Sequence, residues 1–173
     1  MKTKILKILG FCICAAIIAV GTFYGYQYAT EEIVIIDGVN HNKAIKLNPD
    51  VAVIQKLSNS DIKLKEIQVQ FGTYRKTKIG VLTVSLLENG KTVQQWLFEA
   101  EKLIDNAYQP FTLEKPIKLN LENNYAIKIS YHYNANDDNV IAVWSNDDAQ
   151  YGSFKNGEQT LNGSICYKLV YLE

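Results

Sequence analysis

The chain has 173 residues, of which 47% are hydrophobic and 11% aromatic, with 18 basic and 18 acidic side chains. Beyond residue 30 lie all 18 acids but only 15 of the 18 bases, a net charge of −3 that speaks against a nucleic-acid-binding face. Of the three cysteines only Cys166 falls in that part, so it has no internal disulfide and must be held by its core.

Residues 8–30 run for 23 positions without a charge, directly after Lys2, Lys4 and Lys7. A bilayer core needs about 20 apolar residues in a helix. Phe23, Tyr24, Tyr26 and Tyr28 crowd the far end, where rings with polar tips favour the membrane–water interface. Glu31 and Glu32 follow. The lysine bias predicts a single-pass anchor at the cell membrane, N-terminus cytoplasmic and the remainder extracytoplasmic. The rival reading is a cleaved signal peptide ending near Ala19-Val20-Gly21; both readings export the rest. The division is therefore 1–30, a signal anchor or transmembrane helix, and 31–173, one extracytoplasmic domain. The latter is long enough for a single core.

From residue 33 the periodicity is two, which means strands. Residues 33–36 form a weak first strand closed by Asp37-Gly38. Ile67 to Phe71 alternates. Residues 81–87 and 92–98, joined at Asn89-Gly90, read as a hairpin, because Asn and Gly tolerate the positive φ of tight turns. Asn156-Gly157 and Asn162-Gly163 carry the same turn signal. Residues 99–105 suggest a helix of one or two turns. Pro110 and Pro116 bracket Phe111 to Leu113 and confine it to a short or edge strand. The clearest strand is 125–133, with Tyr125, Ile127, Ile129, Tyr131 and Tyr133 on one face. Residues 165–171 are apolar on both faces. About eight short strands at intervals near 10 residues argue for an antiparallel sandwich or barrel. The irregular stretch 99–124 suits a crossover between sheets. The fold expected is all-β: an antiparallel jelly-roll-like β-sandwich preceded by one N-terminal transmembrane helix.

Several positions carry a resemblance: Ile54-Gln55, Leu64 to Ile67, Gly72-Thr73-Tyr74, Leu82 to Val84, Gly90, Asp105-Asn106, Tyr108, Phe111 and Asn123 to Tyr125. Between about Val51 and Val170 the chain resembles the galactose-binding-like jelly-roll accessory modules found beside bacterial cell-envelope glycosyltransferases and related surface proteins. The resemblance implies a fold more than a function, and it implies no catalytic residue.

Chemistry-bearing constellations are sparse. No Gly-x-Ser-x-Gly elbow, Cys–His pair or zinc spacing occurs, so no catalytic residue is assigned and the domain reads as non-enzymatic. His132 lies on the polar face of its strand. Cys166, between Ile165 and Tyr167, reads as a small apolar strand residue rather than a nucleophile. Arg75 to Lys78 reads as a solvated turn. No cofactor is required, though Ca2+ is possible: Asn136, Asp137 and Asp138 on one side of the strand 140–145, and Asp147 and Asp148 on the other, could each offer an oxygen cage. The two loops leave opposite ends of that strand, about 20 Å apart, and Asn and Asp also simply favour turns.

Aromatic residues are the remaining lead. Flat rings stack on the apolar faces of sugars, and sugar hydroxyls suit Asn, Asp and Gln. Tyr74, Tyr108, Trp144 and Tyr151 fall at strand ends or loops and form the candidate ligand-binding set. Large aromatics in sandwiches also fill cores, which is the reading for Trp96 and a competing one for Trp144. The expectation is a membrane-anchored β-sandwich that binds a glycan or cell-envelope component, without nucleic acid. The alternatives are an assembly subunit docking to an envelope membrane protein and a carboxylate-dependent glycoside hydrolase.

Overall fold

Strand residues alternate between two faces, so each apolar alternation in this sequence becomes the inner face of a sheet. The computed structural model describes residues 33–36, 40–49, 51–58, 61–133 and 139–172. The apolar run at 8–30, Asp37-Gly38 and the triad Asn136, Asp137 and Asp138 lie outside them. Among the described residues no helix is long and apolar enough to cross a membrane. Residues Val34–Leu172 cluster as one compact unit.

Among the described residues thirteen strands occur where about eight were expected: β1 Ile33–Ile36, β2 Lys43–Leu47, β3 Val53–Lys56, β4 Lys63–Gly72, β5 Val81–Glu88, β6 Lys91–Glu99, β7 Tyr108–Lys118, β8 Tyr125–His132, β9 Ile141–Asn146, β10 Ser153–Asn156, β11 Gln159–Asn162, β12 Ser164–Ile165 and β13 Tyr167–Leu172. The excess comes from short pieces around residue 160 and from stretches without clean alternation. The 99–105 segment is a single 3-10 turn, Ala100–Lys102. The stretch expected to be irregular, 99–124, contains the long strand β7, and the chain changes sheets on both sides of it.

Two antiparallel sheets result. The smaller runs β11-β10-β3-β8-β5-β6. The larger is forked around β4. Strand β7 flanks one side of β4, while β13 takes the other side along Lys63 to Val69 and β9 takes it at Phe71 and Gly72. Strands β1 and β2 extend the fork beside β13 and β9. Among the described residues strand β7 pairs only with β4, so its two prolines sit on an edge, where Pro is tolerated.

The inner faces share one apolar core. Strand β4 contributes Ile67, Val69 and Phe71, β5 contributes Leu82, Val84 and Leu86, and β8 contributes Tyr125, Ile127, Ile129 and Tyr131. Burying each such side chain contributes about 2 kcal/mol, opposed by the entropy of ordering it. Phe111 on β7 meets Phe71 edge-on at 6.4 Å and Trp96 at 5.9 Å, closing the side where the β6 and β7 edges approach. Trp96 therefore fills the core margin, and its indole N–H donates to the Thr112 carbonyl at 2.8 Å. One polar bridge crosses the core: buried Gln55 on β3 accepts from the Ile165 amide (3.0 Å) and the Ser164 hydroxyl (3.2 Å) on β12.

The Asn-Gly signals divide into two kinds. Asn89 (φ 50°) and Gly90 (φ 80°) make the two-residue β5–β6 turn, in which both residues need positive φ. Gly157 helps turn β10 into β11. Gly163 does not close a hairpin. There the chain passes from β11 in the smaller sheet to β12 in the larger, with φ 97°. A Cβ at that point would lie 1.8 Å from the Asn146 carbonyl oxygen. Lys78 also departs from expectation, because it is 2% exposed while Arg75, Lys76 and Thr77 are solvated.

Two buried acids tie the fold to pH. Burial pushes the Cys166 thiol from 9.0 up to about 12, and burial, aided by Tyr133, pushes the Tyr131 phenol from 10.0 up to about 12. Both raised values favour the neutral folded form. Their contribution is complete below pH 9 and is lost as pH rises toward 12. Denaturant titrations should therefore show stability falling across that alkaline window, and Cys166→Ala should remove the part that begins near pH 9. Gly163→Ala should lower stability by about 2–4 kcal/mol through strain and collision, whereas Gly90→Ala, with open space around it, should cost about 1 kcal/mol. Equal losses at the two glycines would contradict the sheet-switch assignment.

Candidate functional site

Because Ile67, Val69 and Phe71 point into the core, Glu66, Gln68, Gln70 and Gly72 face outward from the larger sheet. On β9 the same logic turns Ile141, Val143 and Ser145 inward and Trp144 outward. Trp144 is therefore not a core residue but a half-buried ring on the outer face. Its indole lies across Gly72, where a Cβ would come within 3.1 Å of Nε1. The absent side chain at Gly72 is what lets the ring lie there. The imidazole of His41 packs against the indole with centroids 4.5 Å apart and the rings tilted by 35°.

The Asp105-Asn106 corner organises the surroundings. Asn106 adopts φ 62°, a conformation Asn tolerates better than most residues. Its side-chain oxygen accepts the Trp144 indole N–H at 2.8 Å, and its carbonyl accepts from the Gln70 side chain at 2.9 Å. One carboxylate oxygen of Asp105 accepts three bonds: the Thr73 amide at 2.6 Å, the Tyr74 amide at 2.9 Å and the Thr73 hydroxyl at 3.2 Å. Charged acceptors make stronger hydrogen bonds, so this corner fixes the loop after β4. That loop carries Tyr74 and Arg75, both at positive φ, and leaves Tyr74 46% exposed.

Tyr108 starts β7 two residues after the corner and stands opposite Gln70. The Lys168 ammonium sits 4.7 Å from its ring centroid, a cation–π contact across β4. Tyr74, Tyr108 and Trp144 are thus gathered around Asp105-Asn106. Tyr151 is not. It lies in the 3-10 turn Ala149–Tyr151 beyond the C-terminal end of β9, whereas Tyr74 borders a cleft with Val140 at the other end. Six residues of strand separate them, about 20 Å.

Of the oxygen-rich positions, Asp147 accepts from the Asn42 side-chain Nδ2 at 3.0 Å and faces Lys43 at 3.4 Å. Asp148 caps its 3-10 turn by accepting from the Gln150 amide at 3.1 Å. Among the described residues no group of three His, Cys, Asp or Glu side chains is placed to hold a metal ion. His132 is exposed on its strand. Cys166 is fully buried, and its raised pKa keeps it a thiol.

Sequence reasoning missed His41, Gln70 and Gly72. Gly72 and Asp105-Asn106 entered only as positions of the resemblance, and the bond from Trp144 to Asn106 spans 38 residues.

The corner's importance is measurable. Asp105→Ala removes the acceptor of three bonds and should destabilise the chain by about 2 kcal/mol. It should also hasten trypsin cleavage after Arg75, since the loop loses its tether. Unchanged cleavage with unchanged stability would show that the corner does not hold the loop.

No protein-family model matches the chain, and no curated protein matches it, so the chemistry of these surfaces rests on their own residues.

Proposed function

We propose that the chain is a non-enzymatic, membrane-anchored extracytoplasmic β-sandwich that binds a glycan or another cell-envelope component. The anchor is the uncharged run at 8–30 behind three lysines. The finer architecture is jelly-roll-like. In support, the chain returns to the opposite sheet after β2, β3, β4, β6, β7, β8, β9 and β11, leaving only β5–β6 and β10–β11 as hairpins within the smaller sheet. This winding agrees with the resemblance to envelope-associated jelly-roll modules.

The observation that carries the binding reading is the placement of Tyr108 and Trp144 on one outer face beside Asn106 and Gln70, with the Tyr74 backbone tied to Asp105 at its margin. Flat rings interleaved with amides suit sugar rings, which offer both apolar faces and hydroxyls. Tyr151 drops out of this set. His41 covers the Trp144 indole, so a ring entering there displaces it.

A second reading, a subunit docking to an envelope membrane protein, draws on one feature. Ile79 is 70% exposed and Leu97 72%, with Val81 diagonal to Leu97 on adjoining strands β5 and β6. Contiguous exposed apolar residues of this kind mark interaction surfaces.

The test is binding of the full-length chain, in neutral nanodiscs, to a panel of bacterial envelope glycans, with calcium and with chelator. Changing Tyr74, Tyr108 and Trp144 together to Ala should weaken binding at least about tenfold, while Tyr151→Ala should leave it unchanged. Loss of binding in chelator would assign calcium to Asn136, Asp137 and Asp138 or to Asp147 and Asp148. Silence on every glycan from a folded chain would overturn the reading in favour of the docking subunit.

A further inference from the structure

The outer face of the smaller sheet carries a second feature, independent of the aromatic cluster. Strands β10, β3 and β8 lie side by side, and pairing places Lys155 opposite Ile54 and Ile54 opposite Lys128. Lys56, two residues along, stands opposite Ala126, which in turn stands opposite Leu87 on β5. These residues line a recess of about 570 Å3, within the range of small-molecule and oligomer sites. Its floor is apolar, formed by Ile54, Ala126 and Leu87. Its rim holds three ammonium groups, with Lys155 and Lys128 about 10 Å apart at the backbone, two strand spacings.

Among the described residues no acid is paired with them. Lys56, Lys128 and Lys155 are exposed and form no ion pair among the described residues. The only carboxylate on β3, β5, β8 and β10 is Glu88, which accepts from the Tyr125 hydroxyl at 2.6 Å and the Asn123 amide at 2.8 Å. In a domain of net charge −3, three unopposed lysines around one recess are a local reversal of sign. Like charges held together repel, so the arrangement gains most from an anion that bridges them.

We propose that this recess binds an acidic glycan, a chain of sugars bearing carboxylates, as a site separate from the Tyr74–Tyr108–Trp144 cluster. The apolar floor fits the C–H face of a sugar ring, and the lysines, as mobile point charges, meet carboxylates at varied positions along it. Ser153 and Thr160, also on the lining, offer hydroxyls to sugar hydroxyls. A single-stranded nucleic acid would call for rings presented for base stacking, and the two rings on the lining, Tyr125 and Phe154, are both buried with their faces toward the core. A flat bilayer surface would not enter a recess.

The test titrates the full-length chain in neutral nanodiscs with oligogalacturonate and, in parallel, with neutral cello-oligosaccharides of matched length. Oligogalacturonate should bind, and its affinity should fall as salt is raised. The triple variant Lys56→Gln, Lys128→Gln and Lys155→Gln should weaken it by about tenfold or more, and the corresponding three Lys→Arg changes should preserve it. The lysines are exposed, so all variants should keep the wild-type thermal midpoint. Ala changes at Tyr74, Tyr108 and Trp144 should leave oligogalacturonate binding intact, so the two sites fail separately. The proposal is overturned if oligogalacturonate does not bind, if the Gln variant binds it as tightly as wild type, or if a single-stranded oligonucleotide or polyphosphate competes at the same lysines with equal affinity.

Discussion

The apolar seam between the two inner sheet faces is the constraint on which everything else depends. No disulfide shares its load, since Cys166 is the one cysteine beyond the N-terminal segment. Strands β4, β5 and β8 therefore each commit one face to the seam, and each commitment fixes what the opposite face presents. Ile67, Val69 and Phe71 inward put Gln68, Gln70 and Gly72 outward. Ile127 and Ile129 inward put Ala126 and Lys128 outward. A slip of one residue in either strand would exchange core for surface, so register and surface chemistry are specified by the same pattern.

The two outer faces then differ in kind. On the larger sheet the groups are rings and amides that largely satisfy one another: indole on Asn106, imidazole on indole, ammonium on phenol. Such a network is rigid and holds its rings in place without a ligand. On the smaller sheet the lysines are held apart over an apolar floor and have no ion-pair partner among the described residues. The first surface is suited to shape and stacking, the second to charge. Both arise on strands whose other faces are fully committed to the core.

Much of the fold was legible because alternation is local. The β5–β6 hairpin with its Asn89-Gly90 turn, the inward face of β8, and the edge position of the proline-bearing β7 were all readable from adjacent residues. What was not legible required partners far along the chain. Residues 99–105 looked helical, but the chain must turn sharply from β6 in one sheet to β7 in the other, and only a single 3-10 turn fits. Asn162-Gly163 looked like a hairpin because Gly at positive φ serves a sheet switch as well as a turn. Trp144 was open between core and surface because the decision lies with Gly72, whose missing side chain makes room for an outward indole. The candidate tyrosines were chosen by position at strand ends, and that criterion could not tell which end. Tyr74 and Tyr108 reach the Trp144 side, and Tyr151 does not. The lysine recess was invisible because its three members are separated by 72 and 27 residues and meet only through strand pairing.

The central claim is that the outer sheet faces, and not the edges or the loop at Ala149–Tyr151, are where this chain meets its ligands. Hydrogen exchange resolved to short peptides, recorded on the full-length chain with and without a saturating envelope glycan, tests it most directly. The account predicts new protection in the loops around 73–76 and 104–107 for a neutral glycan, and along β3, β8 and β10 for an acidic one. Protection confined to the β6 edge or to residues 149–152, with both faces unchanged, would contradict it.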